Sequence, residues 1–316
     1  MPCVTKKKNI IILYNSNLHM RVKFITSIYS DLFGTDLGGR HSRHGHYRFS
    51  LLSLLKMTNA DFLCYTSDRE LESLKTFFYV ENNISEDKLK FEIFDLYNSK
   101  FSTLINSLKN IEETKKNDRC IEIQYSKFSW WWNEDKSYDY YYWIDAGLSH
   151  SGLIPMKYLT YQDPHSYRRY YESNLFNNSF LENLIAETND KFLFLGKENE
   201  RNYWSGSVDP KWYINYSRSI HIIGGLFGGH RDKWDNIVNI FEKYVVDILS
   251  NEDTKWTPHE ELIMSLMYFN HTDLFVMKKF DIWWCRDNAP QGVTDELFET
   301  NKSFYKILEE LNGIYE

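Results

Sequence analysis

Tyr-Asp-Tyr-Tyr-Tyr-Trp-Ile-Asp-Ala-Gly, residues 138–147, is the most informative stretch of the chain. Residues 140–144 are all aromatic or β-branched, the composition of a buried strand. The strand is expected to stop at Asp145, because Ala146 and Gly147 favour a tight turn. The pattern predicts a central strand with a carboxylate at its carboxyl end, where α/β sheets place ligands. Such a carboxylate either holds a divalent cation or begins a turn by bonding its own backbone, and spacing alone leaves both open.

Outward from this stretch, short apolar runs alternate with segments of helical spacing, which predicts an α/β fold with crossover helices. The predicted further strands are residues 9–14, 61–65, 91–96, 191–195, 220–223 and 274–277. The predicted helices are residues 47–57 and 232–249. No linker or internal repeat divides the chain, so we expect one domain over residues 1–316, with a nucleotide-binding half at about 8–150 and an acceptor-binding half at about 151–316.

Two later motifs are predicted to lie near the carboxylate. Four glycines in residues 224–229 interrupt the strand before the long helix, which predicts a loop with positive φ or a close backbone approach, or else a bent strand end that leads into the helix. Thr257-Pro258-His259-Glu260 has the pattern of a capping box, with Thr at the N-cap and Glu at N3. Capping leaves Glu261 unexplained, and a general base would be well placed in that first turn.

Composition limits the classes of partner. The net charge is −7 and no block of like charge forms an arm, so we expect no nucleic-acid partner. Cys3, Cys64, Cys120 and Cys285 show no paired spacing, which favours a reducing, cytoplasmic location. No apolar run is long enough for a signal peptide or a transmembrane segment.

Other residues suggest sites more weakly. His41, His44 and His46 do not match zinc spacing and are interpreted as a polar loop, with Arg40 or Arg43 reaching a phosphate. His271 is either a late metal ligand or a structural histidine. Aromatic residues make up 17% of the chain, more than a core needs, which indicates either a sugar platform or the codon usage of an AT-rich genome. The candidate members of such a platform are Trp130, Trp131, Trp132, Trp283 and Trp284, some of which must be core residues.

The motif Trp143-Ile144-Asp145-Ala146-Gly147-Leu148 resembles the signature of the HtrL/YibB family, found among bacterial lipopolysaccharide and polysaccharide genes. Tyr125-Ser126-Lys127, the glycines of residues 224–229 and Glu260-Glu261-Leu262 resemble further elements of that family. The resemblance covers about residues 8–285 and implies a glycosyltransferase of the GT-A fold, with a Rossmann-type, mixed but mostly parallel sheet flanked by helices. Many GT-A members carry Asp-x-Asp at this strand end, whereas this chain has Trp143 at the first position.

Together these patterns predict transfer of a sugar from a nucleotide-diphosphate donor, UDP-linked, to a hydroxyl of a glycan or glycoconjugate. Asp145, with His271 as a second ligand, is expected to hold Mn²⁺ or Mg²⁺ on the diphosphate. Glu260 or Glu261 is expected to be the base or the acceptor anchor. The residues expected to contact the donor are Tyr14, Asn15, Arg40, Asp68, Lys127, Gly224 and Gly225.

Two other classes remain open at this stage. A non-catalytic glycan-binding module would account for the aromatic residues without a nucleotide pocket. A metal-dependent phosphohydrolase would need several clustered Asp and His ligands, of which only Asp145 is well placed.

Overall fold

The computed structural model describes the central part of the chain, with gaps. The described residues are 20–29, 47–48, 50–52, 54–55, 58, 60–108, 119–147, 159–163, 168–171, 178–188, 190–198, 208–214, 222–252 and 258–281.

The described strands form one large sheet and one separate pair. The strands of the large sheet are β1 (Val22–Ile28), β2 (Asp61–Thr66), β3 (Leu89–Ile93), β4 (Tyr140–Ile144), β7 (Phe192–Glu198), β8 (Ile222–His230) and β9 (Phe275–Asp281). Their order is β3-β2-β1-β4-β8-β7-β9. β8 is antiparallel to both of its neighbours, and the other six strands share one direction. The pair consists of β5 (Leu159–Asp163) and β6 (Arg168–Tyr171).

Helices flank the large sheet. They are α1 (helical residues 47–48, 50–52 and 54–55), α2 (Asp68–Lys75), α3 (Lys100–Leu108), α4 (Arg119–Ser129), α5 (Asn178–Glu187), α6 (Pro210–Trp212), α7 (Arg231–Leu249) and α8 (Glu260–Asn270). A π-helical turn, Thr76–Glu81, extends α2, and a 3₁₀ turn, Trp130–Trp132, extends α4. The predicted fold class, an α/β fold with a mixed, mostly parallel sheet flanked by helices, is confirmed. None of the helices in the described ranges is long and apolar enough to cross a membrane.

Side chains on β4 divide the core into two layers. Tyr141 and Trp143 face a cluster built from α3, α4, α7 and α8. Tyr140, Tyr142 and Ile144 face a second cluster built from α1, α2 and α5. Because successive side chains of a strand point to opposite faces, Asp145 continues the face that carries Tyr141 and Trp143.

The order of the strands creates a switch point between β1 and β4. The chain builds β1, β2 and β3 outward in one direction, then returns to place β4 on the other side of β1. The flanking helices change face at the same point, since α1 and α2 pack on one side and α3 and α4 on the other. Open α/β sheets bind ligands in the crevice at the carboxyl ends of the strands flanking such a switch. Asp145 follows β4 at that edge.

The glycines of residues 224–229 lie within a strand, so the predicted loop was wrong. β8 runs through all four of them and pairs with β4, Ile144 opposite Leu226 and Tyr142 opposite Gly228. Gly228 has φ of 154°, and a Cβ there would lie 2.3 Å from the Tyr141 carbonyl oxygen. At Gly228 the expected close approach is therefore an approach between two strands.

Other boundaries also differ from the sequence predictions. The predicted strand at residues 9–14 lies outside the described residues. Among the described residues, the strand that lies between β2 and β4 in the sheet is Val22–Ile28. Its polar residues Lys23 and Thr26 interrupt the apolar sequence pattern, although both side chains are buried. The third strand begins at Leu89 instead of residue 91.

The predicted capping box is also wrong in its register. His259 is the N-cap of α8, and Glu260 is the first helical residue instead of N3. Thr257 lies outside the described residues.

Candidate functional site

A buried ammonium group lies at the centre of the candidate site. Lys127 Nζ is 3.1 Å from Asp145 Oδ1, 2.9 Å from Glu260 Oε1 and 3.0 Å from the Gly224 carbonyl oxygen. These three acceptors match the three N–H donors of a lysine. Lys127 is buried, so its ammonium is held by the protein and not by solvent. The structure thus brings together four residues that the sequence singled out separately.

Contacts between α4 and the start of α8 fix this arrangement. The Tyr125 hydroxyl donates to the Pro258 carbonyl oxygen over 2.8 Å. Gln124 Oε1 lies 3.0 Å from His259 Nδ1, and Lys127 adds the ion pair with Glu260. Gln124, Tyr125 and Lys127 of α4 therefore hold the first turn of α8 against the end of β4.

The backbone of Gly224 connects β8 to Glu261 directly and to Glu260 through Lys127. Its N–H donates to Glu261 Oε1 over 2.9 Å, and its carbonyl oxygen accepts from Lys127. A Cβ at this position would lie 2.8 Å from Glu260 Oε1 and 3.1 Å from Lys127 Nζ. A side chain at Gly224 would therefore push the ion pair apart.

Asp145 presents its two carboxylate oxygens to different surroundings. Oδ1 accepts from Trp143 Nε1 over 2.7 Å and from Lys127 over 3.1 Å. Oδ2 has no hydrogen-bond partner in the part of the chain that the structure describes. The side chain is 39% exposed, and the backbone N–H is fixed by the Gly225 carbonyl oxygen at 2.9 Å. One oxygen is thus held by the protein and the other is open to a ligand.

Carboxylates outnumber the ammonium group at this site. Asp145, Glu260 and Glu261 carry three formal negative charges against the single positive charge of Lys127. Burial alone would lower the pKa of Lys127, but Asp145, Glu260 and Glu261 outweigh it and raise that pKa well above its ordinary value. Lys127 therefore stays charged, and a formal charge of −2 remains to attract a cation.

The site offers a cation an incomplete set of protein ligands. Among the described residues, no three His, Cys, Asp or Glu side chains lie together so that they could hold a metal ion. Mg²⁺ and similar cations are often held by one or two carboxylates, with water and substrate phosphates completing the coordination. The open Oδ2 of Asp145 fits that kind of site, in which the phosphates come from the ligand.

Other predicted ligand contacts lie farther away or outside the described residues. Asp68 begins α2 at the carboxyl end of β2 and is exposed, two strand positions or roughly 10 Å from β4. His271 follows α8, whose 11 residues rise about 16 Å. β9 begins just after it, at the amino-terminal ends of the parallel strands, whereas Asp145 lies at their carboxyl ends. The structure therefore does not bring His271 to Asp145. The predicted residues outside the described ranges are Tyr14, Asn15, Arg40, Arg43, His41, His44, His46, Trp283 and Trp284.

The tryptophans at residues 130–132 are mainly core residues. Trp130 and Trp131 are each 1% exposed and pack against Trp234. Trp132 is 38% exposed, and the Lys100 ammonium lies 3.9 Å from the centre of its ring. Within this triplet, a sugar could reach Trp132 only.

Sequence reasoning missed the role of Trp143 beside Asp145. Trp143 was noted because it stands where many GT-A proteins have the first aspartate. The period of two along a strand places it on the same face as Asp145, so their contact was open to prediction. The link between Tyr125 and Pro258 had no comparable signal, because the two residues are 133 positions apart.

No protein-family model matches the chain, and no curated protein matches its sequence. Solved structures similar to it include mouse xyloside xylosyltransferase 1 in its apo form, at 9% identity and a TM-score of 0.42, covering 88% of this chain and 93% of that chain. Another is 4-diphosphocytidyl-2C-methyl-D-erythritol synthase from Anaerococcus prevotii, at 9% identity and a TM-score of 0.39, covering 93% of this chain and 95% of that chain. Likeness at this level assigns no activity, and the resemblance to the HtrL/YibB family stays a prediction.

Proposed function

We propose that the chain is a GT-A-like glycosyltransferase, which moves a sugar from a UDP-linked donor to a hydroxyl of a glycan. The observation that carries this proposal is the half-exposed Asp145 carboxylate at the β1–β4 switch point, with Oδ1 held by the protein and Oδ2 open. Open α/β sheets bind ligands, nucleotides among them, at such an edge. The resemblance of residues 143–148 to the HtrL/YibB signature points to the same class.

Asp145 Oδ2 is the atom that would hold Mn²⁺ or Mg²⁺. When bound, the cation neutralises the diphosphate of the donor. Lys127 supports this role through Asp145 and not through a phosphate, because its three N–H groups are already accepted by Asp145, Glu260 and Gly224. Asp68, exposed at the end of β2, lies on the same edge and would line the nucleoside.

The two glutamates that begin α8 have different environments, which suggests different roles. Glu260 is 2% exposed and forms an ion pair with Lys127, so it is poorly placed to reach an acceptor and acts as a positioning residue. Glu261 is partly exposed and accepts from the Gly224 N–H. Glu261 would take the proton of the acceptor hydroxyl as that oxygen bonds to the anomeric carbon and the bond to the diphosphate breaks.

A ligand-binding screen tests the proposal directly. Melting temperatures are measured with UDP-, GDP- and CMP-sugars, with and without Mn²⁺, because a ligand that binds the native state raises the melting temperature. We expect UDP-sugars to stabilise the protein most, and to do so more strongly with Mn²⁺. Donor hydrolysis, followed as release of UDP, then reports on chemistry.

Asp145→Asn keeps the size of the side chain and removes its charge, so the Mn²⁺-dependent stabilisation and the hydrolysis should both be lost. Asp190→Asn is the matched control, since Asp190 is exposed just before β7, at the end of the parallel strands that lies away from Asp145. If no nucleotide sugar stabilises the protein under any condition, the transferase proposal is wrong and a glycan-binding module becomes the better reading. Full hydrolysis by Asp145→Asn would remove Asp145 from the mechanism.

A further inference from the structure

His259 lies at the edge of the candidate site with an exposed side chain. It is the N-cap of α8, a position where Ser, Thr, Asp and Asn are preferred because their side chains accept from the first turn of the helix. The imidazole of His259 makes no such bond. Departures from local sequence rules concentrate at functional sites, so His259 calls for a role other than capping.

The bond to Gln124 determines which nitrogen of the ring is available. His259 Nδ1 is 3.0 Å from Gln124 Oε1, and an amide oxygen can only accept a hydrogen bond. The proton of the neutral ring is therefore on Nδ1, and Nε2 carries a lone pair that can accept. Nε2 has no hydrogen-bond partner among the residues that the structure describes. The protein thus holds one nitrogen of the ring and leaves the other open.

The backbone around His259 is fixed on both sides without help from its ring. The Pro258 carbonyl oxygen accepts from the Tyr125 hydroxyl over 2.8 Å, and Glu260 forms its ion pair with Lys127. A further hydrogen bond made by an exposed ring adds little to stability, because water can replace it. The main effect of that bond is therefore to orient the imidazole.

The direction of α4 places His259 beyond the ends of the strands. Lys127 contacts the residue that follows β4, whereas Trp130 packs against Tyr141 near the beginning of that strand. α4 therefore runs opposite in direction to β4. Gln124 precedes Lys127 by three residues, which places it about 4.5 Å farther along the helix axis, beyond the strand ends. His259 is held there, in the crevice where open α/β sheets bind their ligands.

The charge of the site indicates what the open nitrogen would bind. The three carboxylates of the site leave a formal charge of −2 after Lys127 is counted. That charge disfavours a phosphate at the start of α8. The lone pair of a neutral imidazole needs a hydrogen-bond donor, and a sugar hydroxyl is a neutral donor. The ring of His259 therefore fits a sugar better than the diphosphate of the donor.

We propose that His259 binds the glycan acceptor, with Nε2 accepting a hydrogen bond from a second hydroxyl of the acceptor, not the one that reacts. In the proposed reaction Glu261 takes the proton of the reacting hydroxyl. The two side chains together then select an acceptor that presents two free hydroxyl groups. This proposal rests on the transferase function, because it assigns an acceptor subsite to the same reaction.

Acceptor kinetics test this assignment. The probes are the methyl glycosides of the common hexoses, N-acetylhexosamines and pentoses, and transfer from a UDP-sugar is followed as formation of the disaccharide glycoside. The best acceptor is then compared with its monodeoxy analogues, each of which lacks one hydroxyl. For one analogue that still reacts, we expect the acceptor KM of the wild type to rise about tenfold, as the loss of one hydrogen bond predicts.

His259→Phe removes the nitrogen and keeps a flat ring. With the parent glycoside its acceptor KM should rise about tenfold, whereas its donor KM should change by less than about twofold. With the analogue that the wild type binds weakly, this variant should cause no further rise, because the missing hydroxyl and the missing nitrogen form one pair. A purely structural role would raise the KM of every analogue alike. His259→Gln keeps a hydrogen-bond acceptor and should recover part of the affinity.

His230→Phe is the matched control. His230 is also a helix N-cap, that of α7, but its side chain accepts from the Asp232 N–H. It pairs with Tyr140, at the end of β4 that lies away from the candidate site. This variant should leave both KM values unchanged. Gln124→Leu keeps the imidazole of His259 and frees its orientation, so it should raise the acceptor KM even if His259→Phe folds poorly.

The outcomes separate this proposal from the transferase function. If the wild type neither binds nor hydrolyses any nucleotide sugar, both are wrong. If the wild type transfers sugar and His259→Phe keeps the wild-type acceptor KM, only the assignment of His259 is wrong. Equal rises in the donor KM and the acceptor KM would also overturn the assignment, as would donor hydrolysis without transfer to any of the glycosides.

Discussion

The indole N–H of Trp143 donates to Oδ1 of Asp145 across 2.7 Å, along the same face of β4. Trp143 is 2% exposed, so this N–H would be buried without a partner if Asp145 turned away. The contact therefore fixes the rotamer of Asp145 and leaves Oδ2 as the oxygen presented to a ligand. A tryptophan at the position of the first aspartate of an Asp-x-Asp pair thus orients the remaining carboxylate instead of adding a second one.

Trp143→Phe keeps a buried ring and removes this donor. We expect kcat/KM for donor hydrolysis to fall about tenfold or more, since hydrogen bonds to charged groups contribute about 1.5–3 kcal/mol. The matched control is Trp131→Phe, which removes an equally buried indole whose N–H donates to Asp235 over 2.6 Å, away from the site. Comparable activity losses in the two variants would indicate a packing effect and remove the positioning role of Trp143.

Substitutions of Glu260 and Glu261 should affect different properties, the first the stability of the protein and the second its turnover. Glu260→Gln weakens a buried ion pair with Lys127, and breaking such pairs costs about 3–5 kcal/mol when one charge is left alone, so a clear loss of unfolding free energy is expected. Glu261→Gln should keep the fold and lose turnover by roughly 100-fold, because an amide cannot accept the proton of the acceptor hydroxyl.

Urea denaturation and transfer kinetics on both variants measure these effects, and UDP-sugar affinity should stay near wild type for Glu261→Gln. Normal turnover in Glu261→Gln would mean that Glu261 is not the base. An N3 position in a capping box would predict a mild stability effect for Glu260→Gln, because Gln also serves there, but the helix begins at Glu260.

Much of this site was open to prediction from local patterns. The strand of residues 140–144, its terminal Asp145 and the acidic pair of α8 each carry a signal within a few residues. Their convergence on Lys127 was not predictable, because it depends on contacts between α4 and α8 on one face of the sheet, made by residues 133 positions apart.

The errors share a physical cause, which is that tertiary contacts outweigh local propensity. Glycine is a poor strand residue in isolation, yet Gly228 forms part of β8 because the backbone of β4 lies too close for a side chain there. Lys23 is charged, yet it lies in a buried strand because Glu134 neutralises it. The division of the chain into a nucleotide-binding half, about 8–150, and an acceptor-binding half, about 151–316, stays a prediction.

Gly228 tests the close pairing of β8 with β4, and Gly229 provides the comparison. A Cβ at Gly228 would lie 2.3 Å from the Tyr141 carbonyl oxygen and 2.6 Å from Tyr142 Cα, both backbone atoms, and its φ of 154° is unfavourable for other residues. Gly228→Ala should therefore cost at least about 3 kcal/mol of unfolding free energy, as overpacking and backbone strain add. At Gly229 the nearest atom would be the Lys191 carbonyl oxygen at 3.2 Å, so Gly229→Ala should be distinctly milder. Equal stability of the two variants in chemical denaturation would contradict this pairing.

Glu134 should make the stability of the protein depend on pH near neutrality. Its pKa is about 7 in the folded protein and near 4.5 for an unperturbed carboxyl group, so the folded state binds more protons between these values. Its contribution to stability is then fully present below about pH 4.5 and is lost as the pH rises through about 7. Asp135 stays out of this window, because the hydrogen bond with Glu134 holds its pKa well below the ordinary value. The measurement is the unfolding free energy of the wild type minus that of Glu134→Gln from pH 4 to pH 8.5. We expect this difference to fall with rising pH and to level off above pH 8, while the same difference for Glu86→Gln, at an exposed position, stays flat. A difference that does not fall with rising pH would show that Lys23 outweighs burial and that the pKa of Glu134 is not raised in the folded protein.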